Sequence, residues 1–134
     1  MKSSSSLAHL VSLWIPVLLW AGLIFGLSSI AGLRSSFPSN IDFILRKFAH
    51  ATEFGILSAL LYRALSQQGN HLSPRRLFLA FLLAALYAAS DEWHQGFVQD
   101  RVPAWHDVGI DAIGAFIGAD VLRHWYAHKA KQSR

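Results

Sequence analysis

The chain has 134 residues, of which 53% are hydrophobic and 15% charged, with a formal net charge of +4 and a mean hydropathy of +0.33. Soluble domains carry about 25% charge, so this chain lacks the polar surface that a small soluble protein needs. Its Lys and Arg residues sit near the ends of apolar runs rather than on one element, which argues against a nucleic-acid partner, and the absence of Cys excludes disulfides, thiolate chemistry and Cys-based zinc sites.

Residues 1–6 form a short polar start with Lys2 and four serines. The first apolar run, residues 7–30, predicts a membrane span over about 9–29. Pro16 is tolerable there because neighbours can satisfy the freed carbonyl. Ser29-Ile30-Ala31 resembles a small-residue cleavage site. The later runs also need a bilayer, so a retained span is expected.

Gly, Ser, Pro and Asn cluster over residues 32–41 and predict a loop. The second run, 42–65, predicts a span over about 44–65. It carries Arg46, His50 and Glu53 at i, i+4 and i+7, on one helical face, with Lys47 one step round. Residues 66–76 read as a polar loop, and Pro74 suits the first turn of the next helix. The third span is expected over about 75–94. If its helix continues to Gln95, then Asp91, His94 and Gln95 share a face and Glu92 points elsewhere.

A short connection with Arg101 and Pro103 follows, and a fourth span is expected over about 107–126. Asp107 and Asp111 lie one turn apart, and Gly114 and Gly118 continue their face. Gly-x-x-x-Gly lets helices approach closely in lipid. The tail from Arg123 reads as basic and soluble. The five Trp residues read as interface anchors, Asp120 as a partner of Arg123, and His71, His124 and His128 as solvated. The expected fold is an all-α membrane protein, a bundle of four transmembrane helices forming one domain over residues 1–134.

Orientation follows from Lys and Arg near the span ends. Lys2, Arg63, Arg75, Arg76, Arg123, Lys129, Lys131 and Arg134 fall on one side, against Arg34, Arg46, Lys47 and Arg101 on the other. That bias predicts a multi-pass protein of a bacterial cytoplasmic membrane with both termini in the cytoplasm. It also gathers the start of the second run, the end of the third and the start of the fourth on the outer face. Asp42, Arg46, Lys47, His50, Glu53, Asp91, Glu92, His94, Gln95, Arg101, Asp107 and Asp111 then converge in one layer.

These residues carry a resemblance. The stretches RKFAHATEFGIL and SDEWHQGFVQDRVPAWHDVGIDAIGAFIG contain Lys-x-x-His-x-x-Glu, Asp-Glu-x-x-Gln, a following Arg, and Asp-x-x-x-Asp leading into a Gly-rich helix. In this order and spacing they resemble the VanZ-like family of small bacterial membrane proteins. The match covers about the last two thirds of the chain. It departs from the pattern at Gln99-Asp100, where a Pro-Gly turn is expected. The resemblance implies a link to the cell envelope and to reduced sensitivity to the glycopeptide teicoplanin, an antibiotic-resistance trait, and implies no particular reaction.

Three uses of the convergent layer are open. In a hydrolase, metal-assisted or acid–base, Glu92, His94 and Asp111 are the catalytic candidates, and Asp91, His94, Asp107 and Asp111 are candidate ligands of a divalent metal. The zincin pattern His-Glu-x-x-His is missing. In a binding pocket, Arg46, Lys47, His50, Glu53, Asp91, Gln95, Arg101 and Asp107 hold a membrane lipid or the phosphate head of a lipid-linked envelope precursor. In the third, the charges pair with one another and lock the helices. Acids outnumber strong bases in the layer, which leaves carboxylates in need of protons, water or a ligand.

Overall fold

A computed structural model describes residues 3–31, 38–66, 72–99 and 101–133. Lys2, Arg34, His71, Asp100 and Arg134 lie outside the described residues, as do 32–37 and 67–71 of the two expected loops. Four helices run in chain order: α1 (Ser3–Ser28), α2 (Ser39–Ser66), α3 (Pro74–Gln95) and α4 (Trp105–Gln132). Among the described residues there are no strands. Among the described residues only Leu7–Ser28 is both long and apolar enough, by length and composition, to cross a membrane. The other three helices carry the charged residues that lower their hydropathy.

Three helix ends differ from the expected spans. Helix α1 begins at Ser3, ahead of the first apolar run. Helix α2 starts at Ser39, inside the expected loop, with Asp42 in its first turn, where a carboxylate suits the positive end of the helix dipole. Helix α4 runs through the basic tail to Gln132. Ala, Lys and Gln are good helix formers, so the tail keeps the helix although its polarity ends the apolar run. Pro74 opens α3 as expected.

Helix α2 is the centre of the bundle: it packs on α4, α3 and α1, while α1 does not reach α4. The α2–α4 contact is made by small residues. A Cβ placed on Gly114 would fall 2.8 Å from Ala51 Cα, and one on Gly118 would fall 2.7 Å from Gly55 Cα. Both are far inside van der Waals contact, so the two backbones touch where glycine permits it. Helix α3 presents Ala80, Ala84 and Ala88 inward on successive turns. Helix α1 buries a narrow stripe, Leu13, Val17, Ile24 and Ser28, spaced to stay on one face.

The distribution of side chains is inverted relative to a water-soluble bundle. Asp42, Ser58, Asp91, Glu92, Gln95 and Asp111 are buried, while Leu18, Leu19, Phe48, Phe78, Leu86, Ile113 and Val121 are exposed. Each helix turns large apolar side chains outward, and extensive exposed apolar surface marks contact with a membrane or a partner. Trp14, Trp93, Trp105 and Trp125 are among the exposed residues. Trp20 instead packs against the core, and its indole N–H donates to the Glu53 carbonyl at 2.9 Å.

Candidate functional site

Antiparallel neighbours bring the end of α1, the first half of α2, the end of α3 and the start of α4 to one end of the bundle. There they enclose a pocket of about 720 Å³. Its polar lining comes from Ser28, then Asp42, Arg46, Lys47, His50 and Glu53, then Glu92, Gln95 and Arg101, and finally His106, Asp107 and Asp111. Leu27, Phe43, Leu45, Val102 and Ile110 give it an apolar flank.

Asp91 is held from two sides. The Ser28 hydroxyl donates to its Oδ2 at 2.8 Å and the Gln95 amide donates to the same oxygen at 2.9 Å. Arg101 in turn donates to Gln95 Oε1 at 3.2 Å, which fixes the amide orientation with its NH2 toward the carboxylate. Backbone bonds from Phe97 to His94, Val98 to Gln95 and Arg101 to Val98 coil the connection back, and this places Arg101. Asp91 does not itself line the pocket; Ser28 and Gln95, which hold it, do. Nothing in the sequence marks Ser28, which sits at the end of an apolar run like any helix-terminal serine.

Glu92, one step round from Asp91, accepts the backbone N–H of Ala104. Ala104 is the N-cap of α4 and has no capping side chain of its own. The carboxylate of α3 therefore takes the N-cap N–H, the bond that a Glu or Gln at the third helical position makes in a capping box. Of the three catalytic candidates, Glu92 is thus engaged with the backbone, while Asp111 lies on the pocket floor.

Asp91, His94 and Gln95 all meet the end of α1, as their shared face predicts, with His94 at the edge of that face. Asp91 and Gln95 turn inward together, but His94 stacks on Phe25 of α1 with ring centroids 4.5 Å apart, and its Nε2 lies 3.0 Å from Ser29 Oγ. The Ser29 hydroxyl donates to the Phe25 carbonyl at 2.7 Å, so it accepts from the imidazole. The i, i+3 step lands on the α1 side of the face and the i, i+4 step on the pocket side. The candidate metal ligands Asp91, His94, Asp107 and Asp111 are accordingly split. Among the described residues no three His, Asp or Glu side chains gather as a metal-binding group.

Across the α2–α4 contact, Lys47 pairs with Asp107, and His106 Nε2 lies 3.0 Å from the same carboxylate. Arg46 pairs with Asp42 one turn back at 3.1 Å. His50 Nδ1 stands 3.7 Å from Asp111 Oδ2, beyond hydrogen-bond length. Asp111 Oδ1 and Asp91 Oδ1 are buried without a partner. At the opposite end of the bundle, Asp120 pairs with Arg123 at 3.0 Å and with His124 at 3.3 Å.

Acids and bases inside at one end, with large apolar side chains outside and one helix apolar enough to cross a bilayer, point to a membrane protein. The chain belongs to the VanZ/LLP1 family, whose profile matches residues 4–126. Comparison with curated proteins and with solved structures finds no match.

Proposed function

We infer that the protein is a four-span bundle of a bacterial cytoplasmic membrane, with both termini in the cytoplasm. Its polar pocket opens at the extracytoplasmic face and binds a phosphate-bearing lipid or a lipid-linked envelope precursor. The carrying observation is the coexistence of a charged interior pocket with a large apolar exterior on all four helices. Intramembrane ionisable groups are costly unless a ligand, water or a partner uses them. The apolar flank of Leu27, Phe43, Leu45, Val102 and Ile110 suits the first carbons of an acyl or isoprenoid chain. Arg46, Lys47 and Arg101 supply donors of the kind that hold phosphate. Through such a ligand the protein would act on the envelope and on teicoplanin sensitivity.

The test is mass spectrometry of lipids copurifying in mild detergent, beside a teicoplanin susceptibility assay in cells. Wild type should retain a phosphate lipid; Arg46→Gln should lose most of it and its effect in cells. Equal lipid recovery from both proteins would overturn the reading.

A second reading is favoured by the pairs Arg46–Asp42 and Lys47–Asp107. In it the charges fasten helices and bind nothing. It requires that variants losing lipid also lose thermal stability in proportion.

A further inference from the structure

The pocket is charged unequally from mouth to floor. Its lining carries five carboxylates, Asp42, Glu53, Glu92, Asp107 and Asp111, against three permanent cations, Arg46, Lys47 and Arg101. Each cation already faces an acceptor of its own: Asp42, Asp107 and Gln95 respectively. Of the other three acids, Glu92 takes the Ala104 N–H, and Asp111 and Glu53 face no permanent cation; His50 Nδ1 stands 3.7 Å from Asp111 Oδ2. Asp111 is 2% exposed, and its Oδ1 has no hydrogen-bond partner. The Glu53 carboxylate, three residues on from His50, has no hydrogen-bond or ion-pair partner among the described residues. A carboxylate in that condition costs free energy until a donor reaches it, most where it is buried, as Asp111 is, and less at the half-buried Glu53. The donors at the mouth are more open to solvent: the Arg46 side chain is 46% exposed and that of His106 69%. A bare phosphate answers the mouth but meets repulsion at the floor. A ligand that fits both ends brings positive charge and hydrogen-bond donors inward and its anion outward.

We propose that the pocket selects a headgroup that carries a primary ammonium as well as a phosphate, the ammonium donating to Asp111 and Glu53 and the phosphate resting beside Arg46 and His106. This rests on the lipid-binding reading above and narrows it. A quaternary ammonium does not substitute, because it has charge but no N–H to donate.

The experiment titrates the delipidated protein in detergent with four short-chain probes and reads the thermal shift. The probes are phosphatidylethanolamine, phosphatidylcholine, phosphatidic acid, and soluble phosphoethanolamine without acyl chains. The expected result is that phosphatidylethanolamine binds about tenfold tighter than phosphatidic acid or phosphatidylcholine, the size of one charge-assisted hydrogen bond. Asp111→Asn should bring phosphatidylethanolamine down to the level of phosphatidic acid, whereas Arg46→Gln should weaken both alike. If Asp111→Asn folds poorly, Glu53→Gln provides the same comparison with a smaller loss of preference. Equal binding of all three lipids would overturn the ammonium selection and leave lipid binding standing. Binding of no lipid would overturn both. Soluble phosphoethanolamine binding as tightly as the lipid would keep the selection for an ammonium and overturn the lipid reading.

Discussion

Gly118 of α4 lies against Gly55 of α2 with backbone meeting backbone: a methyl group on Gly118 would come 2.7 Å from Gly55 Cα. The obstacle is main chain, which cannot swing aside as a long side chain can. Gly118→Ala should therefore force the helices apart and lower stability by about 1–3 kcal/mol. The same helix holds an internal control. A methyl group on Gly109 would meet nothing within 4 Å, so Gly109→Ala should match or exceed wild type by about 1 kcal/mol through helix propensity. Detergent melting curves of the two variants check this; equal melting temperatures would mean that α2 and α4 do not touch at Gly118.

Glu92 can be separated into its two chemistries. Glu92→Gln keeps a carbonyl oxygen able to accept the Ala104 N–H, but removes the titrating acid. It should hold wild-type stability and wild-type effect in cells, while Glu92→Ala should lose about 1 kcal/mol as the Ala104 N–H loses its acceptor. A Glu92→Gln variant that melts normally yet is inactive would return this residue to acid–base work.

The Lys47–Asp107 pair joins α2 to α4 while partly open to solvent, with side chains 18% and 29% exposed. Its loss should cost about 1–3 kcal/mol, between the values for surface and buried pairs. Lys47→Met alone should therefore destabilise, and adding Asp107→Asn should recover part of the loss. The readout is a double-mutant cycle on melting temperature; additive effects would show that the two side chains act independently.

The proposed topology makes a labelling prediction. Because the chain has no Cys, single cysteines at Ser39, Gln99 and Ser133 can be probed without background. A membrane-impermeant thiol reagent applied to intact cells should label the first two and spare the third. The opposite pattern would place the pocket on the cytoplasmic side.

The four helices were legible because apolar runs and loop residues alternate along the chain, and Pro74 marks the start of α3. The Gly114–Gly118 spacing also pointed to a close helix contact, which the structure places on α2. The roll of each helix was not legible. A period of 3.6 groups Asp91 with both His94 and Gln95, and only the position of α1 decides that His94 turns toward Phe25. Nor could spacing reveal that Ser28 would meet Asp91, since that contact depends on how α1 leans on α3. The Glu92 bond to Ala104 was hidden for a related reason: its acceptor is a side chain, but its donor is backbone, which carries no mark in a sequence.

The hydrogen bond between Ser28 and Asp91 spans 63 positions, and this bears on the order of assembly. Chains are synthesised from the N-terminus, so Ser28 emerges well before Asp91. A waiting serine is harmless, because its hydroxyl can bond a carbonyl of its own helix one turn back. A waiting carboxylate has no such refuge. The chain thus delivers the undemanding partner first, and the costly group arrives to find its donor already in place.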